Sequence, residues 1–360
     1  MSKIRIAIAG IGNCASSFIQ GLEYYKNVTG NEEHLPGLMF SSFGGYLPRD
    51  IEFVAAFDVS KQKIGKDLSE AIFAHRNCTE KISDVPRTGV EVSAGPILDG
   101  VAPHMRKTFD VYDEGSLGFS DVSEVLRKSK AEMLINFLPV GSKNASIFYA
   151  EEAIKAGCGF INAIPEFITS DPKWAKRFED SSLPIAGDDI KSQLGATILH
   201  RAIMKLFVDR GVRVDETYQL NIGGNTDFEN MTVEERLKTK RVSKTKAVTS
   251  LAPYEVPTRI GPSDYIPFLG DKKICYIWVK GRGWGNLPIT VDVKLAVEDS
   301  PDSAAVIIDV VRAMKLALDR GIKGPLTSIS AYSFKHPPEF VPDPIARKWV
   351  EEFIQGKRER

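Results

Sequence analysis

Residues 4–9 (Ile4-Arg5-Ile6-Ala7-Ile8-Ala9) form a short apolar run, and Gly10-Ile11-Gly12-Asn13-Cys14-Ala15 follows at once. Behind this turn Phe18, Leu22 and Tyr25 recur at helical spacing. Buried strand, glycine turn and helix in that order open a nucleotide-binding βαβ unit. Further apolar runs at 53–57, 133–138, 159–163 and 183–186 predict more strands, and a helix is expected from about Ser142 to Ala156. Short unbroken apolar runs alternating with helices predict a parallel sheet covered on both faces.

The period changes near residue 213. Ile289, Val291, Val293, Leu295 and Val297 alternate with Thr290, Asp292, Lys294, Ala296 and Glu298. A period of two marks a strand with one buried face, typical of an antiparallel sheet, with 213–222 and 274–280 as its partners. Ser300-Pro301 predicts a helix start, serine capping and proline at the first helical position. Its apolar stripe is Val306, Ile307, Val310, Val311, Met314 and Leu318, and Gly321 ends it.

Composition narrows the class. A length of 360 residues suggests about two domains. The 43% hydrophobic and 26% charged residues exclude a disordered chain and a small disulfide scaffold. Lys+Arg and Asp+Glu number 47 each, so the chain lacks the basic excess of a nucleic-acid binder. Cys14, Cys78, Cys158 and Cys275 are scattered, with no CxxC or zinc spacing, which predicts a reducing, cytoplasmic setting. There is no signal-peptide pattern and no apolar run near the ~18 residues of a membrane span, so no membrane partner is expected. A metal requirement is not legible.

Gly10-x-Gly12-x-x-Ala15 fits the dinucleotide fingerprint. The first glycine allows the tight turn, the second lets backbone approach a pyrophosphate, and the small third residue lets helix and strand pack closely. Asp58, at the end of the next apolar run, is placed to bind ribose hydroxyls and to favour NAD over NADP. It lies 43 positions after Ala15, against the usual ~20, so residues 27–50 are read as an insertion. A second candidate is the run Arg236, Lys238, Lys240, Arg241, Lys244 and Lys246, which contains no acid. A solvated basic loop, a nucleic-acid patch and a pocket for an anionic small substrate all fit it. Clustered ammonium groups can hold a phosphate, and they depress one another's pKa toward neutrality.

Longer motifs carry a resemblance. Gly10-Ile-Gly-Asn-Cys-Ala-Ser-Ser17, Gly187-Asp-Asp-Ile-Lys-Ser-Gln-Leu-Gly-Ala-Thr197 and Asn221-Ile-Gly-Gly-Asn-Thr-Asp-Phe228 occur in order, followed by Gly270-Asp-Lys-Lys273, Glu298-Asp-Ser-Pro301 and Ala331-Tyr-Ser-Phe-Lys335. Together they resemble the myo-inositol-1-phosphate synthase family, in its shorter bacterial and archaeal branch, over essentially the whole chain. The resemblance implies an α/β fold: an NAD(P)-binding Rossmann domain (1–190), an inserted α+β catalytic and tetramerisation domain (191–299), and a C-terminal helix and tail (300–360) returning to the first. It implies an NAD-dependent isomerase, a homotetramer, that cyclises D-glucose 6-phosphate to 1D-myo-inositol 3-phosphate. The steps are C5 oxidation, C6 enolisation, aldol closure onto C1 and re-reduction, in the service of inositol and phospholipid precursor synthesis.

By motif match the family's catalytic lysines fall on Lys240, Lys244, Lys272 and Lys335, with Asp189, Asp227 and Asp299 as orienting acids. Lys335 is assigned to the C5 oxygen and Lys240 to proton shuttling and the C1 oxygen; Lys244 and Lys272 hold the phosphate, with Asn225 also on the substrate. The cofactor set is Gly10, Gly12, Asn13, Cys14, Ala15, Asp58, Pro139, Ala163, Asp188, Ser192, Thr197 and Asp299. Two rivals differ in class: a sugar-phosphate dehydrogenase releasing NADH, and a neutral Rossmann protein whose basic segment binds RNA or another polyanion.

Overall fold

The computed structural model describes residues 2–360. Eleven strands are present among them: β1 (Ile4–Ala9), β2 (Ile51–Asp58), β3 (Val92–Ala94), β4 (Met133–Asn136), β5 (Gly159–Asn162), β6 (Pro184–Gly187), β7 (Arg213–Gly223), β8 (Thr258–Tyr265), β9 (Lys272–Arg282), β10 (Pro288–Glu298) and β11 (Gly324–Pro325). Seven form a parallel sheet in the order β11-β6-β5-β4-β1-β2-β3. Apart from the short β11, this is the doubly wound order, and its direction reverses between β1 and β4. The crevice outside the carboxyl ends of those two strands is where such a sheet binds ligands.

The apolar runs become strands because both faces are covered, and β4, β5 and β6 are buried at every residue. One face packs under the helix Asp299–Asp319, whose Val306, Ile307, Val310, Val311 and Met314 join Ile4, Ile6 and Ile8 in one cluster. On the other face Leu126, Tyr149, Ala150, Ala153 and Phe178 pack on Ala7, Ala9, Phe57 and Phe160. The covering helix begins at Asp299 with Glu298 before it, and no side chain caps it. The expected Ser300 cap is therefore corrected: its Oγ donates to Asp271 Oδ1 at 2.9 Å, and its N–H to Asp271 Oδ2 at 3.2 Å. Nor is its burial confined to a stripe, since Ser300 and nearly every residue from Ser303 to Ala317 are buried.

The second sheet has the order β10-β9-β7-β8. β9 runs antiparallel to both β10 and β7, but β8 lies parallel to β7, so the sheet is mixed rather than antiparallel throughout. The cause is the connection: parallel neighbours need a crossover, and the helix Lys238–Thr249 supplies it. That helix and Ala196–Asp209 cover the inner face, where Met204, Phe207 and Val248 meet Cys275, Ile277 and Val279. The basic run from Lys238 to Lys246 lies on this crossover helix, not in a loop, while Arg236 sits in the turn just before it.

Candidate active site

One cleft runs from the crevice at β1 and β4 to the crossover helix. Its first half is backbone. Gly10 has φ +92°, and a Cβ there would stand 2.7 Å from the Phe137 carbonyl oxygen, so this glycine is required for strand packing. Gly12 differs: a Cβ on it would meet nothing within 4 Å and would project into open space. The helix Asn13–Tyr24 starts without a side-chain cap and with no acid in its first turn, which leaves its amide groups for an anion. Asp58 stands beside this turn in spite of the insertion, because β2 pairs directly with β1 while the extra residues loop away. Asp58 Oδ2 accepts from the Ile11 N–H at 2.8 Å, and Oδ1 accepts from the N–H groups of Val59 and Ser60. The buried Lys63 donates to the Ile11 carbonyl at 2.7 Å and lies 3.8 Å from Asp58 Oδ2. An open glycine cradle, uncapped amides and a fixed carboxylate fit the phosphates and ribose of a nicotinamide dinucleotide.

The second half is charged. The stretch after β6 is tied to the segment carrying Lys335: the Lys335 N–H donates to the Asp189 carbonyl at 2.7 Å, and the His336 N–H to that of Asp188 at 3.0 Å. Asp189 holds a left-handed backbone at φ +63°, unusual for a residue with a side chain and a common mark of a functional site. Its Oδ1 accepts from Lys335 Nζ at 2.9 Å and its Oδ2 from Ser243 Oγ at 2.6 Å, and Lys335 also donates to the Ile190 carbonyl. Lys240 and Lys244 stand one turn apart on the crossover helix. Lys240 Nζ donates to Asp227 Oδ2 at 2.6 Å, and Lys273 pairs with Asp299. Lys244 is buried and, among the described residues, has no carboxylate within ion-pair distance.

The electrostatics follow from these partners. Burial, then the charges of Lys240, Lys335 and Lys273, push the Lys244 ammonium down to about 7. For Lys240, burial is outweighed by Asp227 and Asp189, and its pKa rises. Against the same burial, Lys335 and Lys240 hold the Asp189 carboxyl below its usual range, and Lys273 does so for Asp299. Lys240, Lys273 and Lys335 are thus each paired with a carboxylate, and Lys244, which is not, is poised to take up a proton.

Asn13, Cys14, Ala15, Pro139, Ala163, Ser192, Thr197 and Asn225 line the cleft together with the residues just described. Two expected positions do not. The Lys272 side chain is 63% exposed on the outer face of β9, 4.0 Å from Glu298, and Lys273 takes its place in the cleft. Strand parity explains this: Lys273 is in phase with the buried Cys275, Ile277 and Val279, and that alternation was readable in the sequence. Asp188 is fully buried behind the wall, where it accepts from Asn162 Nδ2 at 2.7 Å, Ser170 Oγ at 2.8 Å and the Thr169 and Ser170 N–H groups. Asp271 was missed. Burial raises its carboxyl to about 6, and it joins Asn225 Nδ2 at 2.9 Å to the Ser300 hydroxyl. Lys63 was missed as well, since a lone lysine after Asp58 carries no pattern.

A family model described as myo-inositol-1-phosphate synthase matches residues 195–300. An inositol-3-phosphate synthase of Corynebacterium glutamicum is 53% identical over 361 residues, covering 98% of each chain. One from Mycobacterium tuberculosis is also 53% identical, over 99% of this chain and 96% of its own. A solved inositol-3-phosphate synthase from Caenorhabditis elegans is 16% identical, covers 98% of this chain and 85% of its own, and superposes with TM-score 0.77, a likeness of fold. At this identity over the full length, the chain belongs to the inositol-3-phosphate synthase family.

Proposed function

We propose that this enzyme cyclises D-glucose 6-phosphate to 1D-myo-inositol 3-phosphate at the cleft described above, with a nicotinamide dinucleotide used and restored within each turnover. The observation that carries the reading is the convergence of Lys240, Lys244, Lys273 and Lys335 on the same cleft as the Gly10–Ala15 turn. When bound, the dinucleotide takes hydride from C5 and gives it back. The protein controls charge on oxygen around that exchange. Lys335, oriented by Asp189, holds the C5 oxygen: as the neutral amine it takes the hydroxyl proton when the ketone forms, and as the resulting ammonium it returns that proton at re-reduction. Lys240, oriented by Asp227, shuttles a proton during enolisation and stabilises the C1 oxygen as the ring closes. Lys244 and Lys273 receive the phosphate, and its charge favours the protonated form of Lys244.

Asp58 beside the turn supports NAD rather than NADP, because a carboxylate accepts ribose hydroxyls and repels a 2′-phosphate. The two separate sheets, and the helix that returns to the first of them, support a division of the chain near 190 and 299. The outer face of the second sheet carries the stacked Tyr218 and Trp278 with half-exposed Leu220 and Tyr276, and we assign it to contacts between copies in a homotetramer. Four free cysteines fit a cytoplasmic setting, and no described helix is long and apolar enough to cross a membrane.

The test is glucose 6-phosphate with substoichiometric NAD+, with product identified by NMR and absorbance followed at 340 nm. Inositol phosphate should exceed the cofactor many times over without accumulating NADH. A dehydrogenase would form NADH in step with product.

A further inference from the structure

The two walls of the cofactor half are fastened to each other by contacts that take no part in the chemistry above. From the second sheet come the helix Thr226–Asn230 and the turn Glu234–Arg236. From the first come Asp99, the Val140-Gly141 bend and Thr108. Arg236 reaches across: Nη1 donates to the Gly141 carbonyl at 2.6 Å, Nη2 to the Asp99 carbonyl at 3.0 Å, and Nε to Asn230 Oδ1 at 3.2 Å. Asn230 Nδ2 then donates to the Val140 carbonyl at 2.9 Å. A Cβ on Gly141 would meet the Arg236 side chain at 2.8 Å, so the guanidinium stem lies flat on that glycine. Beneath this polar layer Val140 packs with Phe228, Met231 and Leu237. On the same short helix Glu229 makes a second tie: Thr108 Oγ1 donates to its Oε1 at 2.6 Å, and the Tyr265 hydroxyl stands 3.4 Å from its Oε2.

These contacts join the two walls of the cleft in which a dinucleotide on the glycine turn would lie, with Met105 and Val140 on one wall and Phe228 and Met231 on the other. We infer that Arg236, Asn230 and Glu229 form a latch that retains the dinucleotide through the turnover, and so decide that the enzyme acts as an isomerase and not as a dehydrogenase. The inference rests on the function proposed above. When C5 has given up hydride and its hydroxyl proton, the sugar is a ketone and can be restored only by the dinucleotide it reduced. Loss of that dinucleotide strands the 5-keto sugar phosphate and liberates one NADH. Arg236 and Glu229 touch none of the reacting atoms; they are positioning residues whose effect is on release.

The test uses two full-length variants, Arg236→Met and Thr108→Val, which cut the latch at two separate contacts. The first readout is the dissociation rate of NAD+ without substrate, measured by stopped-flow displacement. Losing hydrogen bonds to a charged group should raise it about tenfold in Arg236→Met, and about threefold in the milder Thr108→Val. The second is free NADH per inositol phosphate formed, which should rise in the same order. Wild-type dissociation rates in variants that keep the wild-type melting temperature would overturn the latch. Should Arg236→Met not fold, the Thr108→Val rate decides alone. A wild-type enzyme that makes no inositol phosphate would overturn the function instead, and the substrate-free dissociation rate would still judge the latch.

Discussion

The two halves of the cleft solve opposite problems. On the glycine side the groups turned to the cleft are mostly main chain at the ends of buried strands, with Asp58 as the one carboxylate fixed beside them. On the lysine side the lining is dominated by long charged side chains, the lysines drawn from the crossover helix, β9 and the segment after the helix Thr327–Ser333. Backbone amides keep their charge distribution at any pH. Ammonium groups crowded out of water do not, and each needs a carboxylate to stay charged; Lys244, which has none within ion-pair distance, falls to about 7. The first half is thus set by packing and the second by pairing.

The sharpest way to break the comparison is Lys335→Ala. Hydride leaves C5 only as its hydroxyl proton is taken, so kcat should fall by at least ~10²-fold. Glucose 6-phosphate affinity, measured by calorimetry, should survive, because Lys244 and Lys273, the proposed phosphate ligands, are left in place. Weak binding with normal turnover would make Lys335 a phosphate ligand instead.

On the other side, Gly12→Val should weaken NAD+ by at least about tenfold through occupancy of the open cradle. Its melting temperature should barely move, since no protein atom lies within 4 Å of the added Cβ. Gly10→Ala should do the reverse and lower the melting temperature, because its backbone is left-handed and the Phe137 carbonyl stands in the way.

Neighbouring lysines sharpen the pairing side. Lys273→Met removes a buried ammonium group and leaves Asp299 uncompensated, so KM for glucose 6-phosphate should rise about tenfold or more. Lys272→Met on the exposed face should change KM by no more than about twofold. Equal effects would put both side chains in the site.

The smallest effect is a pH slope. Lys244 titrates near 7 in the folded protein against an ordinary 10.5. Between those values the unfolded chain carries a proton that the native one lacks, so this group makes stability rise with pH across that window and withdraws the gain as pH falls toward 7. Urea midpoints at pH 7 and pH 9 should therefore differ less in Lys244→Met than in wild type. Calorimetry at pH 8 in two buffers should also show proton uptake on substrate binding, lost in the variant.

What the sequence made legible follows the same division. The β1 turn, Asp58 at the end of β2, the looped-out insertion and the alternation of β10 are local patterns, and local patterns survive folding when packing agrees with them. The choice between Lys272 and Lys273 depends on strand parity, which a family motif does not encode but the neighbouring apolar residues do. The pairing of Lys335 with Asp189 joins positions 146 residues apart, and no spacing rule reaches that far. The same holds for Asp271 under Ser300: a serine next to proline reads as a helix cap until a carboxylate from β9's lead-in claims its hydroxyl.

The helix Asp299–Asp319 bears on how the protein is made. Its apolar residues cover Ile4, Ile6 and Ile8, which are synthesised well ahead of it. At ~5–20 residues per second the ribosome needs roughly 15–60 s to travel from the first strand to the helix that shields it. For that interval one face of the nascent sheet has no native cover, so the growing chain exposes apolar surface until its last sixth emerges. Substitutions at Val306, Ile307 or Val310 should thus reduce soluble yield in the cell more than they reduce the activity of the molecules that finish folding.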